Sequence, residues 1–425
     1  MQVLQIASGD FFSTYGGGQV YVKNIVDEMI RQCIDVAVLS FVNKDIDIAK
    51  HDYKKIPLWE IGKKAKLSDI EDLLRTISPD TIHAHSHKAL FASMGLQMNM
   101  PVVVTAHHGG ILCPAGTLMN AEECICQTTL SHKNCLKCCL ANIRTGRSWH
   151  PIMKLLPKKA YIGLGKTIQK LPFMPFITPI GSAAFSIENK INEWQTICEK
   201  ATTVIAPSNA IANAMCRNGL SQEKVVVIPH GTPKTVPSAI QPKRDNKIRF
   251  FYAGRICRVK GIHVMLNAFS SLINIKKAEL HIIGGTGNKS EQRYMQQLQK
   301  HYQSSNITWH GKVPAERIFD TIKDYDVMVH PTICTEIFGL NIAEALAMNK
   351  PVLATRCGGA EMQIEEGVNG WLVEPNNVQT LRTKMDEIIK QGITIDTTSL
   401  NENVISINEH IKDLIRVYEK EAIID

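Results

Sequence analysis

The chain has 425 residues, of which 44% are hydrophobic and 21% are charged, and its formal net charge at pH 7 is +8. This composition excludes collagen-like, low-complexity and intrinsically disordered classes and is typical of a globular protein. A chain of this length exceeds the usual size of one hydrophobic core, so we expect two domains. Met1 leads directly into an apolar strand, and the sequence has no long apolar run, so we expect a cytoplasmic protein without a transmembrane helix.

Short apolar strands alternate with helical segments along the sequence. Predicted strands cover residues 36–39, 81–83, 102–105, 204–206 and 225–228, and then 250–253, 280–283, 307–309, 327–329, 352–354 and 371–373. This alternation predicts the α/β class, with parallel sheets covered by helices on both faces. Ligands of such sheets bind at the carboxyl ends of the strands. Residues 229–247 lack a clear periodicity and mark the expected domain boundary.

A glycine run, Gly16, Gly17 and Gly18, follows the opening strand at residues 3–7. An amphipathic helix is predicted directly after it, at residues 20–30. Glycines at this place let a ligand approach the backbone closely. A dinucleotide site would give a similar pattern.

Six of the twelve cysteines fall in one short window: Cys113, Cys124, Cys126, Cys135, Cys138 and Cys139. The spacing of Cys135 and Cys138 is typical of a tetrahedral metal site, which Cys113 and Cys124 could complete. A cytoplasmic location disfavours disulfides, so we expect either a structural metal, zinc before an iron–sulfur cluster, or free thiols. A second alternative for a metal is the alternating set His83, His85 and His87.

Residues 131–180 form a basic strip that carries nine Lys or Arg and no Asp or Glu. Apolar and aromatic residues, among them Trp149, Tyr161 and Phe173, are interleaved with the charges. Such a strip can rest on an anionic membrane surface, which would make the protein peripheral to the membrane. The alternative is a solvated loop, or one that packs its apolar residues on its own domain. No nucleic-acid recognition motif accompanies the charge, so nucleic acid is not an expected partner.

Two cations follow an aromatic strand at residues 250–253. The strand ends at Gly254, which lets the backbone turn tightly, and Arg255 and Lys260 come next. A guanidinium can bind phosphate oxygens bidentately, whereas an ammonium acts as a point charge. The pair therefore predicts a phosphate site, and the alternative is a solvated loop.

Two carboxylates, Glu336 and Glu344, lie eight positions apart around a predicted strand-to-helix turn. The turn falls at Phe338, Gly339 and Leu340, where backbone N–H groups at a helix start provide a seat for a phosphate. Carboxylates repel a diphosphate, so we expect both to accept hydrogen bonds from hydroxyl groups on either side of it. A diphosphate flanked by two hydroxylated rings describes a nucleotide sugar. The alternative is a helix cap followed by a solvated glutamate.

This segment resembles the E-x7-E donor-site motif of retaining GT-B glycosyltransferases, especially those of glycosyltransferase family 4. Further segments match that family in the same order: the glycine run, Ile82-His83-Ala84-His85, Thr105-Ala106-His107, Gly254-Arg255 with Lys260, Gly358-Gly359-Ala360-Glu361 and Asn369-Gly370-Trp371. One departure is Asn349, where many relatives have glycine. The resemblance covers about residues 1–425 and is weakest at residues 40–75 and 140–200.

The resemblance implies a GT-B fold, in which two Rossmann-like, doubly wound parallel-sheet domains face a central cleft. Residues 1–230 would form an acceptor-side domain, with a cysteine-rich and basic insertion at about residues 110–180. Residues 247–400 would form the nucleotide-sugar-binding domain. Residues 401–425 would form a C-terminal helix that packs back on the first domain.

The resemblance also implies an activity. A sugar would pass, with retention of configuration and without a catalytic cofactor, from a UDP- or GDP-sugar to a hydroxyl of a lipid-linked glycan, in cell-surface polysaccharide synthesis. The implied catalytic residues are Glu336, His107, Arg255 and Lys260. The implied donor-binding residues are Gly17, Gly18, Gly254, Arg255, Lys260, Phe338, Gly339, Leu340 and Glu344. A nucleotide-sugar epimerase on the same fold and a catalytically inactive scaffold remain as alternatives.

Overall fold

The computed structural model describes residues 1–12, 17–141, 163, 178–233, 246–314 and 317–422. It divides into two compact units. The first contains Met1–Ala121, Gln127–Gly231 and Ile407–Asp425, and the second contains Glu122–Cys126 and Thr232–Ser406. Most of the predicted basic strip and residues 234–245 of the predicted boundary lie outside the described residues.

The first unit is built on an eight-stranded sheet. Its strands, β1 to β8, are Gln2–Ser8, Asp35–Phe41, Ile48–Tyr53, Ile56–Ile61, Thr81–Ala84, Val102–Thr105, Thr203–Ala206 and Val225–Val227. Their order across the sheet is β3-β4-β2-β1-β5-β6-β7-β8. The chain order reverses between β1 and β5, and ligands of open α/β sheets bind at the carboxyl edge of such a reversal.

One edge of this sheet differs from the prediction of wholly parallel sheets. Strand β3 runs antiparallel to β4. The two strands are joined at Lys54 and Lys55, whose φ angles are 51° and 74°. A two-residue turn with positive φ at both positions matches the twist of a hairpin and usually contains Asn-Gly or Gly-Gly. Two lysines give no such signal, so the sequence pattern did not predict the hairpin.

Helices cover the sheet of the first unit. In chain order these are α1 to α6, at Gly17–Arg31, Leu67–Ile77, Lys88–Met98, His132–Ala141, Thr178–Lys200 and Asn209–Arg217. The buried face of α1 repeats at helical spacing, with Tyr21, Val22, Ile25, Val26 and Met29.

The C-terminal helix, Ile407–Ala422, belongs to the first unit and packs beside α1. Its Ile411, Leu414, Val417 and Tyr418 are buried in one cluster with the apolar face of α1. His410 Nε2 also lies 2.7 Å from the hydroxyl of Tyr21. Burial of a large apolar side chain contributes about 1.5–3 kcal/mol, so these four residues stabilise the first unit substantially.

The second unit contains a six-stranded sheet in which all neighbours are parallel. Strands β9 to β14 are Ile248–Ala253, Ala278–Ile283, Ile307–Gly311, Val327–His330, Val352–Thr355 and Gly370–Val373. Their order is β11-β10-β9-β12-β13-β14, so the chain order reverses between β9 and β12. The motif with Arg255 and Lys260 follows β9, and the motif with Glu336 and Glu344 follows β12.

In the described part of the second unit, six α-helices cover the sheet. In chain order these are α7 to α12, at Ile262–Ser270, Lys289–His301, Ile318–Ile322, Leu340–Ala347, Gly359–Gln363 and Val378–Gln391. Asn349, which stands where many relatives have glycine, follows α10 with a φ of 57°. Asparagine tolerates this left-handed conformation better than most residues, so the departure keeps the same turn. No helix among the described residues of either unit combines the length and apolarity needed to cross a membrane.

Candidate active site

The end of β9 forms a tight turn. Tyr252 donates a hydrogen bond from its hydroxyl to the carbonyl oxygen of Arg255 at 2.7 Å. A Cβ atom on Gly254 would lie 2.9 Å from that hydroxyl, so glycine leaves room for this hydrogen bond. Asn341 of α10 donates to the carbonyl oxygen of Ala253 at 2.8 Å. The turn therefore fixes Arg255 next to the start of α10.

Arg255 is paired with a residue that the sequence pattern did not single out. Its guanidinium contacts both carboxylate oxygens of Glu291 on α8, with Nε 3.0 Å from Oε2. The same carboxylate accepts a hydrogen bond from the backbone N–H of Gly287 at 2.7 Å. Arg255 is 57% exposed. Glu291 occupies the Nε and Nη2 edge of the guanidinium, so a phosphate can bind Arg255 bidentately through the Nη1 and Nη2 edge.

Lys260 and Glu336 form an ion pair at the reversal between β9 and β12. Lys260 Nζ contacts Glu336 Oε2, and the two side chains are only 24% and 14% exposed. Burial alone would lower the pKa of Lys260 and raise the pKa of Glu336. Their mutual attraction outweighs burial, so the pKa of Lys260 is raised and that of Glu336 is lowered. Both groups are therefore charged near pH 7.

Two further groups face the same carboxylate. His330, the last residue of β12, is fully buried and has Nε2 3.2 Å from Glu336 Oε2. The hydroxyl of Thr332 lies 3.4 Å from the same oxygen. Burial lowers the pKa of His330, although Glu336 opposes this effect, so the ring is neutral near pH 7. His330 follows the predicted strand at residues 327–329, and nothing in the local sequence pattern indicates which way its ring faces.

Backbone hydrogen bonds to Cys357 and Gly359 fix the position of Glu336. The N–H of Glu336 donates to the carbonyl oxygen of Cys357 at 2.7 Å, and the N–H of Gly359 donates back to the carbonyl oxygen of Glu336 at 2.9 Å. A Cβ atom on Gly359 would lie 2.5 Å from the carbonyl oxygen of Phe338. Glycine at position 359 thus allows the close approach that fixes Glu336.

The predicted phosphate seat lies directly after Glu336. Helix α10 begins at Leu340, with Gly339 as its N-cap at a φ of 89°. Phe338 is buried, and its carbonyl oxygen accepts a hydrogen bond from the Gln363 amide. The first N–H groups of any α-helix have no partner within the helix, and they carry its positive dipole end.

Glu344 lies in α10 and differs from Glu336 in its protonation state. It is half-buried, and burial raises its pKa to about 7. Within the described ranges no cation pairs with its carboxylate. The two carboxylates of the motif therefore differ in protonation. Glu336 is paired with Lys260 and charged, whereas Glu344 titrates near neutral pH.

The first unit contains a cavity of about 780 Å³ at the carboxyl ends of β1, β5 and β6. Its polar lining includes Asp10, Gln19, His85, Lys88, His107, His108, Lys190 and Glu193. This volume is typical of a site for a small molecule. Burial, with a contribution from the charge of Lys190, lowers the pKa of Lys88 to about 8.

Two predicted glycines and one predicted histidine belong to this first unit. Gly17 is the first residue of α1, and a Cβ atom on Gly18 would lie 3.4 Å from the Cβ of His107. His107 Nε2 lies 2.8 Å from His85 Nδ1. Burial and the neighbouring His230 lower the pKa of His107, so its ring is neutral. Gly16 lies outside the described residues.

The proposed metal ligands are distributed over both units. Cys113, Cys135 and Cys138 belong to the first unit, whereas Cys124 belongs to the Glu122–Cys126 segment of the second. Among the described residues no group of three or more His, Cys, Asp or Glu side chains is placed to hold a metal ion. This finding covers the alternating set of His83, His85 and His87, where the His87 ring instead stacks on Phe41 at 3.7 Å. The metal site stays a prediction from spacing alone.

Comparison with known families gives the identity of the chain. A family model described as "Glycosyl transferases group 1" matches residues 234–407, and one described as "Glycosyltransferase Family 4" matches residues 15–121. The chain belongs to the family 4-like glycosyltransferases. The two models divide between the two units much as the predicted motifs do, and the resemblance inferred from the motifs is confirmed.

Curated relatives of this glycosyltransferase match it over part of their length. An uncharacterized glycosyltransferase of Methanocaldococcus jannaschii is 24% identical over 53% of this chain and 59% of its own. A D-inositol 3-phosphate glycosyltransferase of an Arthrobacter species is 28% identical over 42% of this chain and 45% of its own. The chain therefore spans about half the length of these curated relatives.

Solved structures share the fold over the whole chain. HepE of Anabaena, in a complex with UDP and glucose, has a TM-score of 0.64 at 18% identity, and the match covers 98% of this chain and 99% of that one. Sucrose-phosphate synthase of Thermosynechococcus elongatus has a TM-score of 0.67 at 18% identity, with 99% of each chain covered. The predicted GT-B fold is confirmed.

Proposed function

We propose that this glycosyltransferase moves a sugar, with retention of configuration, from a nucleoside diphosphate sugar to a hydroxyl of a lipid-linked glycan in cell-surface polysaccharide synthesis. The observation that carries the proposal is the partly buried Lys260–Glu336 pair next to the start of α10. The pair supplies a cation that can bind a phosphate and a charged carboxylate that can bind a sugar hydroxyl. The adjacent helix N-terminus adds backbone N–H groups for the phosphate. The complex of HepE with UDP and glucose supports this choice of donor.

Different residues of the second unit would bind different parts of the donor. Arg255, Lys260 and the first amides of α10 would stabilise the charge that develops on the leaving diphosphate, without a catalytic cofactor. Glu336 would orient the transferred sugar, and Glu344 would accept hydrogen bonds from the ribose. The acceptor hydroxyl would attack from the face that the diphosphate leaves, which retains the configuration.

The acceptor would lie on the first unit. The cavity at β1, β5 and β6 is of a suitable size for a sugar and places His107 in its lining. Its charged side chains, Lys88 and Lys190 with Glu193, suit a hydroxylated ligand that makes many polar contacts. UDP- and GDP-sugars both remain candidate donors.

The basic strip would hold the enzyme against the membrane that carries a lipid-linked acceptor, on its cytoplasmic face. Only Lys133 and Lys137 of its nine cations lie within the described residues. We expect the full chain to co-sediment with vesicles that contain anionic lipid, and replacement of Lys158 and Lys159 by glutamate to weaken this binding at low salt. Vesicle binding that the double replacement leaves unchanged would contradict the membrane role.

Nucleotide binding tests the proposed function directly. We expect UDP, GDP, ADP or dTDP to raise the melting temperature of the purified chain, because a ligand at one hundred times its Kd adds about 2.7 kcal/mol of stability. Arg255→Ala should reduce the shift. Arg382→Ala, which removes an ion-paired arginine on α12, should retain it. The absence of a shift with every nucleotide would favour an inactive scaffold, and conversion of the donor without acceptor would favour an epimerase.

The raised pKa of Glu344 predicts a pH dependence of donor binding. Ribose hydroxyls donate to a carboxylate, so the ionised form binds the donor and its affinity rises with pH. With a pKa of about 7 in the free enzyme and a lower one in the complex, the affinity for UDP-glucose should be about tenfold weaker at pH 6 than at pH 8. Titration calorimetry can measure this. Glu344→Gln should give a flat profile, and a flat profile in the unmodified chain would contradict the role of Glu344.

A further inference from the structure

Three side chains of the first unit, two of them buried, form a hydrogen-bonded row that ends at His107. His85 Nε2 lies 2.7 Å from Gln5 Oε1, and His85 Nδ1 lies 2.8 Å from His107 Nε2. Gln5 lies on β1, and the two histidines follow β5 and β6. Gln5 is completely buried and His85 is buried, so water does not compete for these hydrogen bonds.

The surroundings of Gln5 determine which way its amide group points. Its Nε2 atom lies 3.7 Å from Met29 Sδ and 3.4 Å from the hydroxyl of Tyr418. A thioether sulfur has no hydrogen to donate, so it accepts a contact from the NH2 group and repels a carbonyl oxygen. The carbonyl oxygen of Gln5 therefore faces His85.

This orientation decides where each histidine carries its proton. Burial lowers the pKa of His85 and of His107, so each ring is neutral and has one N–H group and one lone pair. The oxygen of Gln5 can only accept, so the His85 proton is on Nε2 and His85 Nδ1 accepts. His107 must then donate from Nε2, which leaves the lone pair on its Nδ1.

We propose that Gln5, Met29 and His85 are positioning residues that hold His107 in the Nε2-protonated tautomer, so that its Nδ1 accepts a hydrogen bond from a substrate hydroxyl and cannot donate one. Within the described residues, His107 Nδ1 is buried and has no hydrogen-bond partner. A buried nitrogen without a partner destabilises the protein until a donor reaches it. A sugar hydroxyl is such a donor, whereas a carbonyl group or a carboxylate is not.

The role of His107 toward a hydroxyl rests on the proposed function, but the tautomer itself can be measured without any substrate. The full chain, labelled with ¹⁵N at histidine, would be studied by long-range ¹H–¹⁵N NMR, which shows which ring nitrogen carries the proton. Loss of a signal set in His107→Asn assigns His107. We expect its proton on Nε2, and a proton on Nδ1 in the unmodified chain would overturn the proposal.

Variants of Gln5 test whether the row causes this tautomer. Gln5→Met removes the carbonyl oxygen and the NH2 group of the side chain at nearly constant length. We expect His107 then to populate both tautomers, and sugar transfer to be lost. Gln5→Glu keeps an acceptor opposite His85 and should retain the Nε2–H pattern at pH 8. Ser40→Ala, on β2, removes the hydrogen bond of a buried hydroxyl to the carbonyl oxygen of Gly9 and leaves every member of the row in place, so it serves as the matched control.

The outcomes separate this inference from the proposed function. An unchanged Nε2–H pattern in a folded Gln5→Met chain would contradict the positioning role, whatever the activity. The expected tautomers without any sugar transfer in the unmodified chain would contradict the proposed function and leave the row intact.

Discussion

Replacing Glu336 with glutamine should lower kcat by about 10²- to 10³-fold, with a smaller change in KM. The amide keeps the shape of the side chain but loses the negative charge that faces Lys260 and His330. In the proposed reaction, this charge orients the sugar while the diphosphate leaves. Consumption of the donor in the presence of an acceptor extract would measure the effect, and near-normal consumption would contradict the catalytic assignment.

The same replacement also affects stability, and a double variant separates the two effects. Removal of one partner of a buried ion pair can cost about 3–5 kcal/mol, because the other charge stays buried without compensation. Lys260→Met combined with Glu336→Gln leaves no unpaired charge. We expect the double variant to regain a melting temperature close to that of the unmodified chain while it remains inactive. Regained activity would show that the pair acts only through the fold.

Replacing Gly261 with alanine should reduce the free energy of unfolding by about 2–4 kcal/mol and abolish sugar transfer. Gly261 has a φ of 68° and caps α7 directly after Lys260. A Cβ atom there would lie 1.8 Å from the carbonyl oxygen of Pro331, which follows β12. The backbone must therefore move, and Lys260 moves with it away from Glu336. Denaturant unfolding and an activity assay would measure both effects.

Gly367 supplies the matched control for Gly261. Its φ is 77°, and an added Cβ atom would meet nothing within 4 Å. Gly367→Ala therefore carries the cost of a positive φ, about 1–2 kcal/mol, without the collision. Equal loss of stability in the two variants would show that the contact with Pro331 has no effect. Retained transfer in Gly261→Ala would show that the position of Lys260 is not critical.

Local signals predicted the elements around the candidate site well. The apolar segment at residues 327–329 predicted β12, and the turn at Phe338, Gly339 and Leu340 predicted the start of α10. Both predictions rest on residues that are adjacent in sequence, and such local patterns indicate where a strand or a helix begins and ends. The confirmed GT-B fold follows from many such elements in a recognisable order.

Contacts between distant residues were not predictable in the same way. The hydrophobic periodicity of the sequence does not predict the contact of Lys260 with Glu336 or that of Arg255 with Glu291. Each pair joins segments that are distant in sequence and that meet only where the sheet brings them together. The protonation state of Glu344 likewise follows from packing around α10. The hairpin at Lys54 was missed because its turn lacks the residues that normally favour it.

The first unit joins the two ends of the chain, and this has a consequence for biosynthesis. Its sheet is complete on the ribosome long before Ile407–Ala422 is translated, because the second unit lies between them in sequence. Until then, the apolar face of α1 that the last helix will cover remains open to solvent. Contacts of such large sequence separation form late and slow folding. The nascent chain therefore exposes an apolar surface until Ile407–Ala422 has been made, and partly folded chains with such surfaces are prone to aggregate.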